Sequence, residues 1–267
     1  MIKDITLGQY FPGNSLIHRM DPRFKIVISG FFIAMLFIGD SPVCLELGAV
    51  FTASAIILSQ ISPKLVFKSL KPVIPILLFT SVFNLFLISG GMPVFEWKFI
   101  SITDTAIHTT VFMIIRIILL ISGTSLLTYT TSPMALTDAI ERLLTPLKKL
   151  KVPVHDLAMM MTIALRFIPT LIEETDKIIS AQKARGVDFE GEKMMDKVKS
   201  AIPIIIPLFV SAVRRAGELA TAMECRCYQS GVKRTKMRQL KSGFSDYAAL
   251  TITILYFAGV IFINVID

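Results

Sequence analysis

Charge in this chain is segregated rather than spread. Long runs without a formal charge alternate with basic stretches, and no single motif constrains the fold as much as that alternation. Only 18% of the 267 residues are charged while 53% are hydrophobic, too little charge to cover a soluble domain of this length. The pattern is that of a polytopic helical membrane protein. The expected fold class is therefore an all-α integral membrane protein. It has about five transmembrane helices, plus long cytoplasmic helices between the fourth and fifth spans.

The spans are placed by their freedom from charge. The first covers about 24–39. It is short for a full crossing and ends in Gly39-Asp40-Ser41-Pro42 without a small-residue cleavage site, so it reads as a signal anchor or a tilted helix rather than a cleaved signal. The second covers about 43–61, with Glu46 near its start, and the third about 72–90, with Pro72 and Pro75 where a first turn tolerates them. The fourth, about 105–131, contains Arg116, and the fifth is 247–266.

Lys and Arg positions orient these spans. Lys3, Arg19, Arg23 and Lys25 precede or open the first, and Lys64, Lys68 and Lys71 lie between the second and third. The segment after the first span has no basic residue, and the one after the third has only Lys98. Nineteen of the 28 basic residues fall within 132–245. One topology satisfies this distribution: N-terminus and residues 132–245 in the cytoplasm, C-terminus outside. Three regions follow: 1–131 with four spans, 132–245 as a cytoplasmic helical region, and 246–267 as the last span.

The net charge of +8 follows from the same positive-inside effect and needs no nucleic acid to explain it. Cys44, Cys225 and Cys227 give neither a disulfide framework nor metal-ligand spacing. Cys225 and Cys227, two residues apart, face different ways on a helix.

The 132–245 stretch reads as helices because it stays rich in Met, Ile, Leu and Ala. Ser132-Pro133 opens a short helix through about Leu150, with Asp138 and Glu141 early and Lys148, Lys149 and Lys151 late, an order that suits the helix dipole. A second helix runs from about Val154 to Ala184 and stops at Gly186. Its apolar positions Leu157, Met161, Leu165, Ile168, Ile172 and Ile179 recur at three- and four-residue steps. A third runs from about Met194 to Tyr228, with Pro203 and Pro207 expected to bend it. Ala212, Ala216 and Ala220, with Gly217 beside them, are spaced for a close helix–helix approach, although alanine is also simply a good helix former. The run from Lys233 to Lys241 reads as a cytoplasmic flag and a contact for anionic lipid.

The two long helices end alike. One closes on Ala184-Arg185-Gly186 and the other on Cys225-Arg226-Cys227, 41 residues later. Small neighbours let a helix end enter a groove while the guanidinium reaches acidic or carbonyl acceptors. A single such arginine would be read as offsetting its own helix dipole. Two copies, each behind a proline-containing segment, point to docking.

That pair of helix ends resembles the transmembrane T component of energy-coupling factor transporters, the vitamin-importing branch of the ATP-binding-cassette superfamily. Other stretches agree: Gly8 to Ser15, then His18-Arg19-Met20-Asp21-Pro22-Arg23, and Leu165-Arg166-Phe167-Ile168-Pro169 followed by Glu173-Glu174. The resemblance covers the whole chain. One departure is the pair of cysteines around Arg226, where alanine and glycine are commoner.

The resemblance implies that the ends around Arg185 and Arg226 insert into two cytoplasmic ATPase subunits. The long helices, through residues such as Leu165, Ile168, Ile172, Ala212, Ala216, Gly217 and Ala220, would form the platform for a small membrane-embedded substrate-binding subunit. The His18, Asp21, Pro22, Arg23 motif resembles versions that serve several interchangeable substrate-binding subunits. ATP would be used by the partners, and this chain would bind no cofactor or metal of its own.

Two other functions are weighed against this one. A membrane enzyme acting on lipid needs carboxylates, histidines or a nucleophile clustered at one face. His18, His108 and His155 lie on separate segments, and no catalytic residue is assigned. A permease that binds substrate itself needs ionisable residues within its spans, and only Arg116 qualifies clearly. Arg116 reads as a structural polar contact before it reads as part of a pathway, Glu46 as a solvated residue near one membrane face, and Asp21 as the cap of the first helix with Pro22 at its first position. No Gly-x-x-x-x-Gly-Lys-Ser/Thr occurs, so an ATP-driven role requires a separate ATPase.

Overall fold

A computed structural model describes residues 10–88, 90, 93–97, 100–187, 194–229, 240 and 242–266, with 93–97, 100–102, 194–200 and 265–266 given by backbone alone. The chain is an all-α integral membrane protein. Its helices are α1 (Leu16–Arg19), α2 (Pro22–Ile38), α3 (Pro42–Ser59), α4 (Pro63–Leu70), α5 (Ile74–Leu87), α6 (Asp104–Thr130), α7 (Pro133–Leu143), α8 (Val154–Ala184), α9 (Met194–Cys225) and α10 (Phe244–Ile266). Among the described residues, those from 10 to 139 and from 240 to 266 form one compact unit, and those from 140 to 229 form another.

In the first unit α2 packs most extensively on α10, and α6 packs on α3, α5, α2 and α4. Phe32, Met35, Leu36, Cys44, Leu45, Leu119 and Val260 form the buried core. The α2–α6 crossing is close because Gly123 has no side chain: a Cβ there would overlap the Phe32 ring. Small residues play this part in membrane bundles, where apolar transfer from water no longer drives helices together. A second cluster of Ile61, Val66, Leu126 and Tyr129 joins α4 to the end of α6.

Helices α3, α6, α8 and α10 are long and apolar enough to cross a membrane, and α4 with α5 adds a fifth if the pair, bent by 57°, is one broken span. Four expectations change. The 62–71 stretch, read as a loop, contains α4, started by Ser62-Pro63 and held by buried Val66. The segment after α5 holds a two-stranded antiparallel hairpin, β1 (Pro93–Trp97) with β2 (Ile100–Thr103), in which Trp97 pairs with Ile100. Helix α7 stops at Leu143, and Pro146 lies in a 3₁₀ turn, Thr145–Leu150, that ends at left-handed Lys151. Finally α2, at 17 residues, is about 25 Å long. It is short of a full hydrocarbon thickness, yet it is an integral part of the bundle.

Helix α8 also satisfies the length and composition of a span. Its second half carries Glu173, Glu174, Asp176, Lys177 and Lys183, whereas its first half is the apolar part. Helix α9 ends at Cys225, three residues before Tyr228.

Candidate functional site

Helices α8 and α9 run antiparallel. The Gln182 side-chain amide donates to the Pro203 carbonyl at 3.3 Å, and Arg215 donates to Glu174 at 2.6 Å, so advancing along one helix retreats along the other. Arg185 therefore lies level with the start of α9. Arg226 lies about 23 residues beyond Pro203, roughly 35 Å further along the axis. The antiparallel pair holds the two arginines at its opposite ends.

Each end is closed by the same turn. At the end of α8, Gly186 N–H donates to Lys183 O at 3.0 Å and Val187 N–H to Gln182 O at 3.1 Å. At the end of α9, Cys227 N–H donates to Glu224 O at 2.8 Å and Tyr228 N–H to Met223 O at 3.0 Å. Both are Schellman closures, which use carbonyls the helix would otherwise leave unpaired. The residue after each arginine is left-handed, Gly186 at φ +86° and Cys227 at φ +53°. Arg185 and Arg226 are exposed, as are Ala184, Gly186, Cys225 and Cys227, while Gln182, Val187, Met223 and Tyr228 are half-buried. The turn thus fixes the backbone and leaves the guanidinium and its small neighbours outward.

Ala212, Ala216 and Ala220 face α8, but not in tight contact. With Ile163, Phe167 and Leu171 of α8 they line an apolar cleft of about 250 Å³. The sequence leads to Leu165, Ile168 and Ile172, together with the alanines, as a packing platform for a membrane-embedded partner. These three are half-buried and lie off the cleft. The lining residues follow an i, i+4 step of their own, and that step was the available signal. Gly217 is exposed, and a Cβ there would meet open space, so among the described residues it mediates no close approach.

The N-terminal motif is built around the start of α2. Asp21 caps it by accepting from Arg23 N–H at 2.9 Å, and the Arg23 guanidinium returns to both Asp21 oxygens, the closest contact at 2.5 Å. Pro22 takes the first helical position, where no donor is needed. His18 bonds Ser15 at 2.6 Å and the Phe11 carbonyl at 3.0 Å, fixing the turn before it. His108 stacks on Phe112, and His155 pairs with Glu141 at 3.0 Å, so each histidine serves its own segment.

Arg116 resolves as a structural contact. Although it lies midway along α6, it is level with the turn after α2, donating to Gly39 O at 2.8 Å and Asp40 at 3.1 Å with its guanidinium over Phe112. It closes the carbonyl end of α2. Glu46 is exposed in α3. The Lys233–Lys241 run lies outside the described residues except for Leu240, and so does the linker 188–193.

Two residues carry more than the sequence suggested. Lys25, counted only as a basic flag, and Asp246, in the first turn of α10, are both buried. Their signal was a charge in the first turn of a largely apolar helix.

A family model described as cobalt transport protein, CbiQ, matches residues 13–237. The chain is 52% identical to the energy-coupling factor transporter transmembrane protein EcfT of Ruminiclostridium cellulolyticum, over 98% of this chain and 97% of the relative. It is 51% identical to EcfT of Clostridium kluyveri over 93% of each, and 45% identical to EcfT of Bacillus subtilis over 90% and 91%. The chain belongs to this CbiQ and EcfT family of energy-coupling factor transporter transmembrane proteins.

Proposed function

We propose that this chain is the non-catalytic coupling subunit of an ATP-driven importer of a vitamin or other micronutrient. Two cytoplasmic ATPase subunits of the ATP-binding-cassette type dock on the ends of α8 and α9 through Arg185 and Arg226. The observation that carries this reading is the repeated closure: two exposed arginines, each set by the same turn, at opposite ends of one antiparallel pair. Opposite placement gives each ATPase its own attachment, and movement of the ATPases toward each other would change the angle between the helices. A small membrane-embedded subunit would bind the substrate and ride on the helix pair. ATP is consumed by the partners, and no cofactor or metal is assigned to this chain.

The orientation belonging to this reading places the N-terminus and residues 132–245 in the cytoplasm and the C-terminus outside, supported by the distribution of Lys and Arg. A self-contained permease fits less well. The apolar cleft of the membrane unit, about 240 Å³, has Lys25 as its only charged lining residue. That ammonium already donates to Thr130 O, Thr131 Oγ1 and His18 O, which uses its three protons inside the protein.

Co-expression with a pair of such ATPases and a tagged substrate-binding subunit tests the reading. A stable complex that hydrolyses ATP and accumulates substrate supports it. Substrate uptake by this chain alone, with no ATPase present, would sink it in favour of the permease.

A further inference from the structure

Among the described residues the membrane unit ends within α7, at Ala139, and resumes at Leu240; the long-helix ends nearest those points are the end of α6 and the start of α10. Both are held by one short segment, residues 11–25. On the outgoing side, Lys25 Nζ donates to Thr130 O at 3.0 Å and to Thr131 Oγ1 at 3.3 Å. Phe11 N–H donates to Tyr129 O at 3.0 Å, and the Phe11 and Tyr129 rings meet edge to face at 5.7 Å. On the returning side, Asp246 Oδ1 accepts from Asp21 N–H at 3.1 Å while its Oδ2 accepts from Gly243 N–H at 2.8 Å. The Phe24 and Tyr247 rings meet at 5.0 Å.

On the outgoing side the contacts cap α6, whose last carbonyls require donors; on the returning side Asp246 closes its own helix through Gly243 N–H and also accepts from Asp21 N–H at the start of α2. Caps are ordinarily local or left to water. Here the end of α6 is met by Lys25, more than 100 residues away in sequence, and Asp246 reaches Asp21, 225 residues away. The charges are also withdrawn from solvent, Lys25 at 6% exposure, Asp21 at 4% and Asp246 at 3%. Buried charges in a network are costly to desolvate and add little net stability over apolar packing. What such a network can add is a preferred geometry, because an arrangement that breaks it strands a charge.

We propose that residues 11–25 are a fastener that fixes the end of α6, at Tyr129–Thr131, and the start of α10, at Asp246, to each other, with Lys25, Asp21 and Asp246 as positioning residues for energy coupling. With both helix ends held on one base, a displacement of the 140–237 region reaches the membrane helices as a whole. With one of these helix ends loose, the same displacement is spent locally at that end. This rests on the coupling function proposed above.

The test is transport per ATP hydrolysed in proteoliposomes holding the complete complex, using tritiated riboflavin with a riboflavin-binding subunit as the probe. Lys25→Met keeps the length of the side chain and removes its donors. The expected result is normal co-purification of the ATPases and continued ATP hydrolysis, with uptake per ATP lowered about fivefold or more. Lys25→Arg, which keeps a cation and its donors, should recover part of the ratio. An unchanged ratio in Lys25→Met would overturn the proposal, and so would a parallel loss of assembly, hydrolysis and uptake, since that is how a purely structural cap behaves. If Lys25→Met inserts poorly, Asp246→Asn, which keeps the shape of the side chain, is read by the same ratio. An Arg185→Ala, Arg226→Ala chain run alongside separates the two ideas. ATPase retention there counts against docking, whereas the fastener stands or falls on the ratio in the Lys25 and Asp246 variants.

Discussion

Gly186 and Cys227 are structural counterparts: each is the left-handed residue one place after the arginine that closes a long helix, at φ +86° and +53°. Glycine holds that conformation without strain, whereas an L side chain there costs roughly 1–2 kcal/mol. Cys227→Gly is therefore expected to firm the end of α9, and Gly186→Val to loosen the end of α8 by about 1–2 kcal/mol. Hydrogen exchange reads both changes at the amides of Val187 and Tyr228, which donate the outer bond of each turn. Exchange should slow at Tyr228 in the first variant and quicken at Val187 in the second.

The cysteines beside Arg226 serve as reporters of docking. Cys225 and Cys227 are exposed while Cys44 is buried at 2% exposure, so a maleimide should label the first two quickly and Cys44 slowly in the isolated protein. Assembly with the ATPases is expected to protect Cys225 and Cys227 and leave Cys44 unchanged. Equal labelling rates in the complex would place the docking elsewhere than the end of α9.

The ends of α8 and α9 were legible because glycine after Arg185 and the repeated arginine are local signals. The reason for a small residue after the arginine was only half legible. Read as room for a groove, it is also a demand of the backbone, and Cys227 gives no hint of that by its identity. Helix α4 was hidden because Lys64, Lys68 and Lys71 mark a cytoplasmic flank equally well as loop or as surface helix. The role of Gly123 was invisible, since its meaning lies in Phe32, 91 residues earlier. Lys25 and Asp246 have the same character: composition records a charge, and only the fold supplies its distant partner.

Arg116 separates a useful contact from an incidental one. Asp40 is 82% exposed at its side chain, so Asp40→Ala is expected to change stability by only about 0–0.5 kcal/mol. Arg116→Leu strands the Gly39 carbonyl and is expected to cost about 1–3 kcal/mol. Thermal unfolding in detergent, followed by the exposure of buried Cys44, measures both. Equal effects would contradict the assignment of the Gly39 carbonyl as the main partner.

The α2–α6 crossing depends on one missing side chain. Gly123→Ala is expected to destabilise the bundle by about 1–3 kcal/mol, because the ring it meets is rigid and enclosed. Phe32→Leu in the same chain should return part of that loss by giving the methyl group room. Additive losses would show that the two positions do not oppose each other.

Docking by two arginines is measured most directly by the amount of each ATPase subunit that co-purifies with the Arg185→Ala, Arg226→Ala chain from membranes. The expected result is a chain inserted at the wild-type level that has lost most of its ATPase and all ATP-driven uptake, with each single variant losing about half of the attachment at most. Retention of both ATPases at wild-type stoichiometry, with uptake intact, would contradict it.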